Sequence, residues 1–214
     1  MITDALTSSP YLYLLIPVTF LIGSIPFGII FTRKSGIDIR QTGSGNIGAT
    51  NVLRNAGKLP AILTLLADIA KGAIPVLLCG YVFADTDQAT VEILKAVTGI
   101  TAVLGHMFSV FLSFRGGKGV ATGFGVLAIY NPLNAVVTLL IWIAVVAITR
   151  HVSLGAIISM AVLPFFFIVQ KASTVSIVFA ISLAALIIFK HSSNIKHLIA
   201  GTEASFGEKD DQKN

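Results

Sequence analysis

The uncharged run GVATGFGVLAIYNPLNAVVTLLIWIAVVAIT, from Gly119 to Thr149, decides how this chain folds. As a single helix, its 31 residues would measure about 46 Å at 1.5 Å per residue, which is long for one membrane crossing and short for two. Asn131 and Pro132 stand near its middle, and Asn-Pro favours a turn over continuous helix. The run therefore predicts either one long helix or a hairpin of two short helices.

The composition around this run is typical of a membrane protein. Of 214 residues, 55% are hydrophobic and 12% are charged, against about a quarter charged in an average soluble domain. Because this number of charged side chains is too small to cover a water-facing surface, we expect lipid to surround most of the protein. No linker or repeat divides the chain, which we treat as one domain, 1–214. The single cysteine, Cys79, excludes an intramolecular disulfide and fits a small core residue.

The distribution of Lys and Arg distinguishes the hairpin from the single helix, because cytoplasmic loops are enriched in these residues. The hairpin places twelve of them inside and two outside, whereas the single helix gives eight and six. The first apolar run lacks a basic start, so it predicts a retained helix with its amino terminus outside. The same asymmetry accounts for the net charge of +5 without a nucleic acid partner.

We therefore predict an all-α integral membrane protein with seven transmembrane helices, the amino terminus outside and the carboxyl terminus in the cytoplasm. Helices 4 and 5 are expected to be short. The predicted spans are 11–32, 59–83, 93–114, 118–130, 133–149, 152–170 and 172–190, and a polar tail covers 204–214.

Three segments rich in glycine and polar residues then face the cytoplasm, at 43–51, 114–122 and 191–194. Segments that are distant in sequence but share one membrane face can form a composite site. Nothing in the composition required this arrangement, so we interpret the three segments as one candidate site.

The first segment satisfies the pattern G-x-G-x-x-G through Gly43, Gly45 and Gly48. A dinucleotide-binding loop needs a preceding strand, and here a membrane helix precedes, so we exclude that interpretation. Glycines still let backbone N–H groups approach an anion. The polar residues that would add hydrogen bonds or charge are Ser44, Asn46, Thr50, Asn51 and Arg54. The alternative is an ordinary turn with solvated polar residues.

The second segment contains Gly-Lys but fails the Walker pattern, since Leu112 stands where its first glycine belongs. Arg115 and Lys118 combine positive charge with the positive end of a helix dipole, which favours phosphate. The glycines beside them are Gly116, Gly117 and Gly119, and Thr122 follows. The alternative is a basic cap that anchors a helix at the headgroups.

In the third segment, the i, i+3 spacing of His191 and Asn194 places both on one helix face. His106 lies inside an apolar run, where a histidine more often has a structural role through hydrogen bonds than a role in binding or catalysis. Asp68 and Lys71 have the spacing of an ion pair within one helix, a structural alternative to an intramembrane functional site. Ser153 opens helix 6 and is an N-cap candidate.

No cluster of Cys, His or carboxylates in the sequence has the spacing of metal ligands, and no Ser/His/Asp arrangement is apparent locally. We therefore predict neither a metal nor a cofactor.

The phrases GSGNIGATNVLRNAG, GHMFSVFLSFRGGKGVAT and HSSNIKHLIAGTE closely resemble the three motifs of the bacterial acyl-phosphate:glycerol-3-phosphate acyltransferases. They occur in the same order and spacing, and the resemblance extends over nearly the whole chain up to Glu203. The resemblance implies a seven-helix enzyme of the bacterial inner membrane whose active site faces the cytoplasm.

The same resemblance implies transfer of a fatty acyl group from acyl phosphate to the 1-hydroxyl of sn-glycerol 3-phosphate, the first acylation of phospholipid synthesis. Functional coupling to the enzyme that makes acyl phosphate is a further expected partnership. Carried over by position, Ser44 and Arg54 match the essential residues of the first motif, Lys118 matches the charged partner of the glycine loop, and His191 and Asn194 match the polar pair of the third motif. The resemblance thus implies that these five residues are catalytic. The glycine loop 116–119 matches the glycerol phosphate site, Ser153 a pocket serine and Glu203 the acidic residue of the third motif.

Two other classes of function remain as alternatives. A transporter of a phosphorylated or other anionic solute would also need helices and phosphate-binding loops, but transporters often show two related halves and polar residues at the midplane. A structural membrane protein would leave the three glycine-rich segments unexplained.

Overall fold

The computed structural model describes residues 11–207, and all regular secondary structure within them is helical. The helices are α1 (Tyr11–Ser24), α2 (Phe27–Thr32), α3 (Ala49–Ala56), α4 (Lys58–Val82), α5 (Gln88–Met107), α6 (Val120–Tyr130), α7 (Pro132–Thr149), α8 (Val152–Val169), α9 (Thr174–Lys190) and α10 (Ser192–Ile199), with short 3₁₀ turns at Arg33–Ser35 and Val110–Leu112. The amino terminus and the tail after 207, including Lys209 and Lys213 of the charge count, lie outside the described residues.

The central run forms a hairpin, in agreement with its Asn-Pro pair. Asn131 leaves the helical conformation, and its side chain caps α7 by accepting a hydrogen bond from the Asn134 amide at 3.0 Å. Pro132 is the first residue of α7, a position where its missing N–H costs nothing. α6 has 11 residues, and α7 has 18 residues and begins one residue before the predicted span 133–149.

Among the described residues, five helical segments are long and apolar enough to cross a membrane: Tyr13–Ser35, Lys58–Val82, Gln88–Leu112, Pro132–Thr149 and Val152–Val169. A sixth crossing is provided if α9 and α10, bent by 60°, count as one span. The seventh apolar helix, α6, is about 17 Å long, shorter than the hydrocarbon layer. The chain is therefore an all-α integral membrane protein, and the seven-span count and its orientation stay predictions.

Two predicted spans differ from the observed helices for local reasons. The first is broken between α1 and α2, since Pro26 has no N–H to continue the helix. The third begins earlier than expected, at Gln88, because the Asp87 side chain accepts from the Thr90 amide at 3.0 Å and caps α5. It ends at Met107, which leaves residues 108–119 outside the α-helices.

Glycines let the helices approach closely, as is common in membrane proteins. A Cβ at Gly72 of α4 would lie 2.2 Å from the carbonyl oxygen of Thr122 in α6, and one at Gly125 would lie 2.1 Å from that of Ile69. This contact holds the short α6 against the long α4 and fixes the start of α6 at one end of the bundle.

Three of the basic side chains that we assigned to one side, those of Arg54, Arg150 and Lys190, contact segments at one end of the bundle. Arg54 and Arg150 both bond the segment after α10, and Lys190 donates to the Met107 carbonyl at 3.1 Å. Lys95, assigned to the other side, packs on Gly80 near the opposite end of α4. This separation supports the predicted charge asymmetry.

Candidate active site

Glu203 joins the polar side chains at the basic end of the bundle. Its Oε1 accepts hydrogen bonds from the Ser153 hydroxyl at 2.6 Å and from the Asn194 amide at 2.7 Å. Ser153 lies in the first turn of α8 and Asn194 lies in α10, so the carboxylate connects these two helices. Its charge also acts on Lys118 and His191. The second and third glycine-rich or polar segments therefore meet here.

Arg54, near the end of α3, brings the first segment to the same place. Its Nη2 donates to the carbonyl oxygens of Ala204 at 3.2 Å and Ser205 at 3.0 Å, directly after Glu203. Its charge also acts on Lys118. Residues 202–207 thus lie between α3 and α8. The predicted residues that the structure brings together are Arg54, Lys118, Ser153, His191, Asn194 and Glu203.

Burial and neighbouring charge set the state of the two basic groups at the centre. Burial lowers the pKa of the Lys118 ammonium, while the Glu203 charge raises it and the Arg54 charge lowers it. Burial likewise lowers the pKa of His191 to about 4, so its imidazole is neutral at pH 7. His191 Nδ1 lies 2.8 Å from the Ile187 carbonyl oxygen. A carbonyl only accepts, so Nδ1 carries the proton and Nε2 keeps its lone pair.

The glycines of the second segment are explained by close packing on the end of α5. The amides of Gly116 and Gly117 donate to the carbonyls of Met107 and His106 at 3.1 and 3.0 Å. A Cβ would lie 2.0 Å from the His106 carbonyl oxygen at Gly116 and 2.2 Å from His106 Nε2 at Gly117. These two amides are therefore committed within the protein, contrary to our expectation that they would face an anion.

The amides at the start of α6 remain as anion donors. Gly119, the N-cap of α6, adopts a φ of +81° and has no side chain that could accept from the first amides of the helix. The amides of residues 118–122 make no hydrogen bond to another described residue. Because the free amides and the helix dipole both favour negative charge, this end of α6 suits a phosphate beside Lys118.

The first segment is organised around the buried side chain of Asn51. Its Nδ2 donates to the carbonyls of Ile39, Thr42 and Asn46 at 2.9 to 3.1 Å. Its Oδ1 accepts from the Ser44 amide at 3.1 Å. These contacts favour a positioning role for Asn51 over direct substrate contact. They hold Gly43 and Gly45 at φ of 57° and 67°, leave Ser44 exposed and leave Thr50 half-buried at the start of α3.

Two buried polar atoms in this group have no hydrogen-bond partner among the described residues. They are Nε of Arg54, a donor, and Oδ1 of Asn194, an acceptor. Buried polar atoms are usually paired, so two unpaired ones within one group of polar side chains indicate a place for a ligand. A ligand that carries both an anion and a hydroxyl would satisfy both atoms.

Ser44 and the rest of the first segment lie outside this group, and so do four further predicted residues, Thr122, Asp68, Lys71 and His106. Thr122 packs on Gly72 in the contact between α6 and α4, and its buried hydroxyl faces no partner among the described residues. The expected ion pair of Asp68 and Lys71 is present, with 2.8 Å between Oδ1 and Nζ, and His106 Nδ1 lies 3.7 Å from the same oxygen. These charges are buried behind the glycine loop.

Sequence reasoning did not find the role of Arg150. Its guanidinium donates to the Phe206 carbonyl at 3.1 Å, and its own carbonyl accepts from the Phe206 amide at 2.6 Å. The contact spans 56 residues, and no local pattern indicates it. Within residues 11–207, no group of three or more His, Cys, Asp or Glu side chains could hold a metal ion.

Comparison with known proteins identifies close relatives of this chain. The family model described as glycerol-3-phosphate acyltransferase matches residues 13–201. A glycerol-3-phosphate acyltransferase of Geobacter sulfurreducens is 44% identical over 194 residues, covering 90% of this chain and 96% of the relative. Glycerol-3-phosphate acyltransferase 1 of Deinococcus radiodurans is 44% identical over 192 residues, covering 90% and 94%.

Solved structures agree with these relatives. The crystal structure of PlsY (YgiH), an integral membrane glycerol 3-phosphate acyltransferase, in its glycerol 3-phosphate form superposes with a TM-score of 0.84 and 38% identity, covering 91% of this chain and 95% of that one. Its lysophosphatidic acid form gives a TM-score of 0.82 and 37% identity. The chain belongs to the glycerol-3-phosphate acyltransferase family.

Proposed function

We propose that this protein transfers a fatty acyl group from acyl phosphate to the 1-hydroxyl of sn-glycerol 3-phosphate, giving 1-acyl-sn-glycerol 3-phosphate and inorganic phosphate. The observation that carries the proposal is the meeting of Arg54, Lys118 and the His191/Asn194 pair around Glu203, from three distant segments. The site faces the cytoplasm, and the protein resides in the bacterial inner membrane.

The phosphate of the acceptor binds at the start of α6. The amides of residues 118–122 are free of partners among the described residues, Lys118 stands beside them, and Arg54 keeps an unpaired Nε. Charge-assisted hydrogen bonds to phosphate are stronger than neutral ones. The anion also offsets the mutual repulsion of Lys118 and Arg54, which Glu203 offsets in part.

Asn194 and His191 offer hydrogen-bond acceptors for the attacking hydroxyl. The free Oδ1 of Asn194 can accept a hydrogen bond from a glycerol hydroxyl, and the neutral His191 presents the lone pair of Nε2. In the reaction, the 1-hydroxyl oxygen attacks the acyl carbon, the bond from that carbon to the phosphate oxygen breaks, and phosphate leaves. The proton goes to His191 or to a phosphate oxygen.

Transfer is direct, without an acyl-enzyme. Acyl phosphate is a mixed anhydride with a good leaving group, so the protein mainly positions two anions and stabilises the developing oxyanion. Among the described residues, the Ser153 hydroxyl is bonded to Glu203 and Ser44 is exposed with no base at hydrogen-bonding distance, so neither is an activated nucleophile.

The activity and its donor are tested together with purified protein in lipid vesicles. With sn-glycerol 3-phosphate and acyl phosphate, we expect lysophosphatidate and inorganic phosphate in equal amounts. Acyl-CoA in a parallel reaction should give less than about a hundredth of that rate, because its acyl carbon carries no phosphate and a site that bonds such a group rejects analogues that lack it.

Three outcomes would overturn parts of this account. Faster product formation from acyl-CoA would contradict the donor. Uptake of labelled glycerol 3-phosphate into the vesicles without acylated product would favour the transporter. Capture of a covalent acyl-enzyme in a single turnover would contradict direct transfer.

A further inference from the structure

The break in the first span changes the hydrogen bonds of two backbone carbonyls, those of Ser24 and Ile25. At Pro26 the helix is interrupted, and the Ile29 amide donates to the Pro26 carbonyl instead of that of Ile25, which accepts from the Phe27 amide at 3.1 Å. Lys71 Nζ donates to the Ile25 carbonyl at 2.8 Å, and the Ser109 hydroxyl donates to the Ser24 carbonyl at 2.6 Å. Unsatisfied carbonyls are costly in hydrocarbon, so side chains from two other parts of the chain stabilise this break.

The donor Lys71 is part of a buried charged cluster. Asp68 Oδ1 lies 2.8 Å from Lys71 Nζ, and His106 Nδ1 lies 3.7 Å from the same oxygen. All three residues are at most 3% exposed. A well-packed apolar cluster would ordinarily be as stable as a buried ion pair or more so. The charge of Lys71 is therefore better explained by its hydrogen bond to the Ile25 carbonyl than by packing.

The cluster lies directly behind the glycine loop. The Gly117 amide donates to the His106 carbonyl at 3.0 Å, and Gly117 is so close to the imidazole that a Cβ would lie 2.2 Å from its Nε2. Lys118 is the next residue. Ser109, bonded to the break, belongs to the same connection between α5 and α6. One end of this connection therefore bonds the break in the first span through Ser109, and the other end bonds the charged cluster through Gly117.

We propose that Asp68, Lys71, His106 and Ser109 are positioning residues for the reaction: they fix residues 108–119 to the broken first span and so set the position of Lys118. None of the four belongs to the group around Glu203. The kinetic effect that we expect rests on the proposed function. The placement of the loop, in contrast, can be measured without any reaction.

The kinetic test compares Lys71→Met, Lys71→Arg and Ser109→Ala with Glu92→Gln as the matched control. Glu92 is also in α5, and its carboxylate bonds Ser173 and Ser176 away from the loop. For Lys71→Met we expect the KM for glycerol 3-phosphate to rise about 30- to 100-fold, since misplacement of about 1 Å costs that much. Lys71→Arg, which keeps a donor, should recover most of the loss, and Ser109→Ala should cause a smaller rise.

Hydrogen exchange tests the placement of the loop independently of activity. The Gly116 and Gly117 amides should exchange about tenfold faster in Lys71→Met and faster in Ser109→Ala, and they should be unchanged in Glu92→Gln, because local opening follows the contacts that hold a segment. The exchange result stands even if wild type shows no acyl transfer, in which case the proposed function fails and the positioning is judged on exchange alone.

The proposal is wrong if the two amides keep wild-type exchange in Lys71→Met and Ser109→Ala. It is also wrong if activity in all variants, Glu92→Gln included, falls only in proportion to the loss of thermal stability, with the KM for glycerol 3-phosphate unchanged. If Lys71→Met does not fold, Ser109→Ala, which removes a single hydroxyl, decides the outcome.

Discussion

Replacing Lys118 by methionine is expected to raise the glycerol 3-phosphate concentration needed for half-maximal rate by about 100-fold or more, the usual loss when one preorganised charged donor is removed. Methionine keeps the length of the side chain and removes the charge. In the half-buried site, Lys118 supplies a cation at the free amides of α6, and Glu203 loses a neighbouring positive charge when that cation is removed. The rate at saturating substrate should fall less than kcat/KM, because the main loss is in binding of the phosphate.

The matched control is Lys196→Met. Lys196 is exposed on α10, so its replacement removes the same charge from the same face of the protein without touching the site, and we expect kinetics within twofold of wild type. Steady-state rates at varied glycerol 3-phosphate measure both variants. Equal effects in the two would mean that only overall surface charge matters, and an unchanged KM in Lys118→Met would remove Lys118 from the phosphate site.

Replacing Gly117 by alanine is expected to reduce kcat/KM by more than about 100-fold, because displacement of a catalytic loop by about 1 Å has effects of this size. The added Cβ would lie 2.2 Å from His106 Nε2. His106 is fully enclosed and cannot retreat into solvent, so the loop must move. Its movement breaks the amide bonds to His106 and Met107 and displaces Lys118, the next residue.

A control for this substitution is Gly80→Ala. The nearest atoms to its Cβ belong to the end of the flexible Lys95 side chain, which can shift at little cost. We therefore expect normal kinetics and a melting temperature close to that of wild type. Near-normal activity in Gly117→Ala, measured in the same assay, would show that the tight contact with His106 is not required.

Local sequence chemistry predicted the outline of the fold well. The hairpin follows from Asn131 and Pro132, where one residue caps a helix and the next begins it. The gathering of basic residues at one end follows from their distribution along the chain. Both signals reside in adjacent residues or in simple counts, so they can be interpreted without knowing any tertiary contact.

The break in the first span could not be predicted in the same way. Pro17, Pro75 and Pro164 also lie in apolar runs, and each stays inside a continuous helix. Pro26 differs because Lys71 and Ser109 reach the carbonyls exposed beside it. Those donors are 46 and 85 residues away, so the sequence near Pro26 contains no sign of them.

The structure brings together part of the candidate site that the sequence predicts. Arg54, Lys118, His191 and Asn194 come together, whereas no hydrogen bond joins Ser44 to this group among the described residues. The use of the Gly116 and Gly117 amides and the internal bonds of Asn51 depend on which atoms face each other after packing. Glycine and asparagine are equally compatible with anion binding and with a tight turn, so residue type alone left both interpretations open.

The central claim is that three distant segments act as one site, and the coupling between Lys118→Met and Glu203→Gln tests it most directly. The kcat/KM for glycerol 3-phosphate is measured in wild type, both single variants and the double variant. Because Glu203 acts on Lys118 across the site, we expect the two effects to be non-additive by at least about 0.5 kcal/mol, as is usual for interacting residues. Effects that add to within about 0.3 kcal/mol would show that the two segments act separately and would contradict the account.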